Sequence, residues 1–323
     1  MLDNIKTAIN DYREFYTRAE SELSDLVNGY ENKDFVYAGA AVVLLYIEGY
    51  SRLIGHDLTE NERSNALLVG GLIDPYDSAI DSSSIDEAIA SCKRYFELLG
   101  FGNYKPRNQN EEAFYALYNR LTERLPEDSN PNFYKILGFM TVVELIANLQ
   151  RTGSHYLLGQ EVDESRSPLN NEQLMKIMQA KGGVALMLLG SLIDLDVKLV
   201  GDIDYGQLAA CPSMPALLDS YDARNDLFVV PPGRSAMTYL FGSYTQNMDD
   251  IGDMAQDKKK GYETFSRRVG FVQSLRNALH LRKELKRQLL RYDEKEVNAY
   301  LEFADLYLYK GILWWAKGLV DKK

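Results

Sequence analysis

An all-α chain is what this sequence predicts, on three observations. Apolar residues recur at three- and four-residue spacing through nearly every long segment. The breaks between those segments fall where Gly, Pro, Asn and Asp cluster. Strand signals are weak and isolated, the best being Phe228 to Val230, a short run that Pro231 ends.

Taken in order, the spacing predicts helices over 1–29, up to Gly29, and over 33–55. A third, over 60–73, stops before the Asp74–Pro75 pair. Helices over 84–99 and 110–125 flank a break from Gly100 to Pro106. The next, over 131–158, follows the Pro126 to Pro131 break, and 171–199 follows the polar stretch Ser165 to Asn171. The segment 201–233 holds Pro212, Pro215, Pro231 and Pro232 and is too long for a simple turn. It reads as a short-helix excursion or an active-site lid. Helices over 234–258, 262–291 and 293–320 complete the chain. With no internal repeat and no low-complexity linker, residues 1–323 read as a single domain.

Hydrophobic residues make up 46% and charged residues 26% of the 323, enough apolar material for a sizeable core. No N-terminal signal peptide is evident, and the longest apolar runs, 38–46 and 184–195, fall short of a membrane span. Two cysteines, Cys92 and Cys211, give no disulfide framework. These features predict a cytoplasmic protein without stable membrane insertion. The net charge is −11, from 47 acidic and 36 basic residues, which disfavours nucleic acid and anionic membranes unless a local patch overrides it. The basic residues concentrate late, at Lys258 to Lys260, Arg267, Arg268 and Arg282 to Arg291.

The segment YTQNMDDIGDMAQDKKKGYETF at 244–265 carries the strongest chemical signal. Asp249, Asp253 and Asp257 are four residues apart, with Asp250 beside the first. At about 100° per residue these four carboxylates share roughly a third of a helix's circumference. Like charges stacked in this way destabilise a helix by a few tenths of a kcal/mol each, so such a face is either solvated or neutralised. Mg²⁺ neutralises it well, as a hard cation taking one or two carboxylates together with waters and phosphate oxygens. Lys258 to Lys260 follow and could meet a phosphate as point charges.

Upstream, LIDPYDSAIDSSSID at 72–86 places Asp74, Asp77 and Asp81 within about 60° of arc if one helix runs through. A second reading fits as well. Asp74–Pro75 is a good N-cap and first-turn pair, and Ser84 with Glu87 forms a capping-box pattern, so the stretch could be two helix starts. No His-x-x-x-His or Cys-x-x-Cys spacing links His56, His155 and His280 to a zinc site. Neither a Gly-x-Ser-x-Gly elbow nor a phosphate-binding Gly-rich loop is present.

The segment QNMDDIGDMAQDKKKG resembles the second aspartate-rich motif of class I isoprenoid diphosphate synthases, including a Gln three residues before an Asp-Asp pair. LLGQEVDESRSPLNNEQLMKIMQAKGGVAL is similar to the region in which that family carries a Gly-Gln-x-x-Asp element, a polar loop and a helix bearing a diphosphate-binding Lys. Gly159, Gln160 and Asp163 match the element, and Lys181 stands at the Lys. The family's usual Thr after that Lys is Gly182 here. These two motifs cover roughly residues 150–265. The Asp-x-x-Asp-x-x-x-Asp pattern of Asp74, Asp77 and Asp81 departs from the chain-elongating members. It resembles the large terpene synthases of the tetraprenyl-β-curcumene synthase type, as does ENKDFVYAGAAVVLLY.

The resemblance implies an isoprenoid-synthase-like helical bundle around a central active-site cavity. It implies a cluster of Mg²⁺ ions (about three, with Mn²⁺ able to substitute) held by Asp74, Asp77 and Asp81 on one side and Asp249, Asp253 and Asp257 on the other. Asp250 would be an orienting group or an alternative ligand. Lys181, Gln160, Gln246 and Lys258 would bind the diphosphate. The Gly-Lys-Arg-type motif by which chain-elongating relatives bind a second diphosphate has no counterpart near Lys33 and Asp34. The expectation is therefore a Mg²⁺-dependent terpene synthase that ionises one prenyl diphosphate and cyclises or quenches the cation, in a chain compatible with a homodimer. Two alternatives stay open: a prenyltransferase of the chain-elongating or head-to-head kind, and a non-catalytic helical binding protein that keeps the fold.

Overall fold

The computed structural model describes residues 2–81, 85–151, 170–206, 228–260, 262, 264–298, 300 and 301. Among these the architecture is all-helical, apart from one isolated antiparallel bridge between Val200 and Val229. The short apolar run at 228–230 thus forms a bridge, not a strand. The helices are α1 (Leu2–Leu23), α2 (Lys33–Ile54), α3 (Glu60–Asp81), α4 (Ile85–Phe101), α5 (Gln109–Arg124), α6 (Pro131–Arg151), α7 (Asn171–Gly190), α8 (Arg234–Lys260), α9 (Phe265–Val269) and α10 (Phe271–Leu289).

Local chemistry sets the boundaries. Gly55 ends α2 in the left-handed region (φ 70°), and His56 N–H donates back to Ser51 O at 2.9 Å, a Schellman-type ending. A capping box opens α3: Thr59 N–H donates to Glu62 Oε2 at 2.7 Å, and Glu62 N–H to Thr59 Oγ1 at 3.2 Å. Asn108 caps α5 by accepting from Glu111 N–H.

Besides α1, which ends at Leu23 with turns on to Gly29 where the spacing had run the helix to 29, three expectations need correction. First, α3 does not stop at 73 but runs through Pro75 to Asp81, so Asp74–Pro75 is not a helix start. Second, α7 ends at Gly190 and not near 199: three-residue bonds from Leu192 N–H to Leu189 O and from Ile193 N–H to Gly190 O tighten the chain just past the helix, and Asp194 Oδ1 then accepts from Asp196 N–H at 3.0 Å in a further turn. Third, the helix expected over 262–291 is split by Gly270, whose φ of +82° is outside helical space.

The helices pack in two groups. One joins α1, α2, α3 and α5; the other joins α7, α8, α9 and α10; α6 and α4 lie between them, with α6 against α7. Close crossings depend on glycine. Within the first group, a Cβ at Gly70 would fall 2.6 Å from Ala40 Cα, so α2 and α3 can meet only with glycine there. Where the groups join, Tyr46 stacks between Tyr50 and Phe241, and Phe241 lies 4.7 Å from the Tyr300 ring. Tyr50 donates to buried Asp194 at 2.6 Å, and Arg234 on α8 meets the same carboxylate at 3.0 Å. One buried apolar cluster runs from Ala19 to Leu301. No described helix is long and apolar enough to cross a membrane. Cys92 is a buried free thiol; Cys211 lies outside the described residues.

Candidate functional site

A cavity of about 180 Å³ opens between α3, α5, α6, α7 and α8, room for on the order of a dozen water-sized groups. Its walls are apolar, including Leu72, Tyr76, Phe114, Phe133, Met140 and Leu186. Polar side chains on four of the helices also line it: Asp77 on α3, Glu144 on α6, Lys181 on α7 and Gln246 on α8. The cavity therefore draws residues from both halves of the chain, including three from the three expected motif regions.

On α3, the unbroken helix through Pro75 keeps Asp74 and Asp77 within one turn of each other. Pro75 sacrifices one i−4 hydrogen bond. Asp74 is half-buried and accepts from Tyr30 Oη at 3.0 Å. Burial raises its pKa above the ordinary carboxylate range, opposed by the Tyr30 bond. Tyr30 is pushed up to about 12, by burial first and by the Asp74 charge second. Asp81 is the last residue of α3.

Across the cavity, α7 and α8 cross at a glycine pair. A Cβ on Gly182 would fall 2.2 Å from Gly242 O and 2.5 Å from Gln246 Cβ, and one on Gly242 would fall 2.0 Å from Gly182 O. This explains why Gly182 stands where the resemblance expects Thr. The close crossing sets Lys181 and Gln246 on the same cavity wall. Lys181 Nζ lies 3.0 Å from Glu144 Oε2, and that carboxylate is nearly fully buried.

Gln246 Nε2 donates to Asp250 Oδ1 at 2.9 Å. Burial pushes Asp250 up to about 7; Asp249 and Asp257 add to the rise, while Gln246 and Lys181 oppose it. Asp249 is exposed and Asp253 is half-buried. Asp257 is buried and accepts from Thr264 Oγ1 at 3.2 Å, while its backbone carbonyl accepts from Tyr262 N–H. It thereby ties α8 to the start of α9. Lys258 is exposed on the last turn of α8. Gln160 lies outside the described residues, as do Gly159, Asp163 and most of the 201–233 segment.

The donor set suits a hard divalent cation. Asp74 and Asp250 are carboxylates whose burial penalises their charged form, which a cation would relieve. Among the described residues no three Asp, Glu, His or Cys side chains converge closely enough to hold a metal by themselves. Mg²⁺ needs only one or two protein carboxylates when water and phosphate oxygens complete its shell, so the residues present fit it as a partner of diphosphate.

Sequence reasoning missed Glu144. The signal was available: it is the only charged residue in the stretch ILGFMTVVELIAN on α6, and a lone buried carboxylate needs a partner. Also unanticipated is Tyr76, whose ring stacks on Tyr95 at 5.1 Å and whose buried hydroxyl has no hydrogen bond of ordinary geometry among the described residues.

No family model matches the chain. Comparison with characterised proteins and with solved structures likewise finds no significant match.

Proposed function

We propose that this chain is a Mg²⁺-dependent class I terpene synthase that ionises a single prenyl diphosphate and cyclises or quenches the resulting cation. The observation that carries the reading is the cavity: an apolar chamber that also carries Lys181, Gln246 and Asp77, between the two helices that bear the aspartates. A prenyl diphosphate has the matching polarity, an apolar chain on an anionic head.

The side chains divide the work. Lys181 would bind the anionic head, exchanging its contact with Glu144 for one with phosphate oxygens. Gln246 would donate a hydrogen bond to the head, and the Asp250 contact fixes its amide. Asp74 and Asp77 on α3, with Asp249 and Asp253 on α8, would hold the metal. Bound Mg²⁺ supplies positive charge that stabilises the departing diphosphate. The apolar walls exclude water, so an allylic cation survives long enough to fold on itself. Tyr76, Phe114 and Phe133 offer π-faces to that cation.

The test is incubation with a panel of prenyl diphosphates and Mg²⁺, with released diphosphate measured and products read by mass spectrometry. Release with every chain length at the level of buffer alone would refute the reading. A second reading, the non-catalytic binding protein, draws support from the Lys181–Glu144 pair, which already satisfies the ammonium. Tight diphosphate binding with no turnover would favour it.

A further inference from the structure

We propose that the outer face of α10 is a docking surface for anionic lipid bilayers, independent of what the cavity does. The buried side of this helix is formed by Ser274, Ala278, Leu281, Leu285 and Leu289, and α10 packs on α8 and α9. The opposite side has an unusual composition for a solvated face. Val272 and Leu279 on the helix, and Leu290 at its C-cap with near-helical backbone angles, are 61%, 49% and 76% exposed. At about 100° per residue these three fall within roughly 20° of one another. They form an aliphatic ridge roughly 27 Å long at 1.5 Å per residue.

Cations flank the ridge. Arg276, Lys283, Lys286 and Arg287 are all exposed and lie within about 60° of the ridge on either side. The nearest acid on the helix, Glu284, is at the margin and bonded to Arg287. This local basicity stands against a chain whose net charge is −11, so a general attraction to anions does not explain it.

The combination selects the partner. A helix face with aliphatics along its crest and Lys and Arg beside them is the pattern that lies in a membrane interface, its side chains entering the headgroup boundary while the cations meet anionic lipid. A convex ridge suits a flat surface rather than a small ligand. A nucleic acid would draw on the cations but would leave the three aliphatics without a role, since stacking on bases needs aromatic side chains. No described helix spans a bilayer, so the contact is peripheral and reversible.

The test uses the full chain with two kinds of large unilamellar vesicle, phosphatidylcholine alone and phosphatidylcholine with phosphatidylglycerol at roughly three to one, in a sedimentation assay. Each cation near such a surface is worth roughly a fivefold change in partitioning. Binding to the anionic vesicles should exceed binding to the neutral ones, and should weaken on raising salt to about 0.5 M, where screening shortens to a few Å. Reversing two charges in Arg276→Glu/Lys283→Glu should lower partitioning by at least about 25-fold. Leu279→Asp should weaken it with the cations intact, which separates a bilayer contact from simple ion pairing. All three positions are exposed, and unchanged circular dichroism establishes that the variants are folded. Equal partitioning to both vesicle types, unchanged binding in both variants, or retention on single-stranded RNA without sedimentation on vesicles would each overturn the assignment.

Discussion

Replacing Gly182 by Ala tests the contact that brings α7 and α8 together. The new Cβ would sit 2.2 Å from Gly242 O and 2.5 Å from Gln246 Cβ, where ordinary contact is about 3.5 Å. The obstacle is backbone, which cannot rotate away, so the helices must part by roughly 1 Å. Overpacking of this kind costs about 1–3 kcal/mol, and a backbone obstacle puts it at the upper end. Ala recovers about 1 kcal/mol of helix propensity relative to Gly. The net is a loss of about 2 kcal/mol, which at about 2–4 °C per kcal/mol lowers Tm by roughly 4–8 °C. Gly49→Ala supplies the control: no heavy atom lies within 4 Å of its added Cβ, so propensity alone acts and Tm should hold or rise. Thermal unfolding followed by circular dichroism reads both. Because Lys181 and Gln246 flank the crossing, Gly182→Ala should also weaken binding of inorganic diphosphate while the helical signal persists. If Gly182→Ala matches Gly49→Ala in Tm, the close crossing is not what sets the site.

Inorganic diphosphate should bind only with Mg²⁺ or Mn²⁺ and release on chelation, as calorimetry would show; equal affinity without metal sinks the carboxylate site. Asp253→Asn should abolish turnover while Tm holds or rises through relieved repulsion along α8, and unchanged turnover would remove Asp253 from the mechanism. Asp250 is held up at about 7, against about 3.9 in an unfolded chain. The fold therefore favours its neutral form: that contribution is complete below about pH 4 and lost as pH rises through 7. In metal-free protein the Tm gain of Asp250→Asn over the parent should be larger at about pH 8 than at about pH 5, and an equal gain at both contradicts the burial argument. One allylic diphosphate should suffice, without incorporation of labelled isopentenyl diphosphate; robust incorporation into a longer prenyl diphosphate promotes the prenyltransferase reading.

Most helix positions were legible because amphipathic periodicity is a local signal. The failures were also local, and each traces to a residue whose effect depends on its surroundings. Pro75 reads as a helix start next to Asp74, yet α3 carries it, because the apolar face on both sides of it is buried. Gly270 within a periodic pattern reads as a tolerated glycine, and only its positive φ separates α9 from α10. In the candidate site, spacing pointed to Asp74 and Asp77, while only the resemblance pointed to Lys181 and Gln246. Spacing could not distinguish Asp257, which is buried under Thr264, from Asp249, which is exposed, since both occupy the same periodic stripe. Glu144 belongs to no motif; its role depends on α6 meeting α7, which is a tertiary fact.

The order in which the chain leaves the ribosome bears on the Tyr50–Asp194–Arg234 junction. Helices α1 to α3 pack on one another and on α5, so the N-terminal group can assemble while later residues are still being made. The junction cannot: Tyr50 waits 144 residues for Asp194, and Arg234 is 40 residues further on. Until α7 and α8 emerge, the cavity faces of α3, α5 and α6 stay open to solvent or to a chaperone. At about 5–20 residues per second this lasts roughly 10–35 s for α3. Completion of α8 is thus the step that both buries this surface and creates the chamber, so a nascent chain truncated before α8 lacks the chamber and is prone to aggregation.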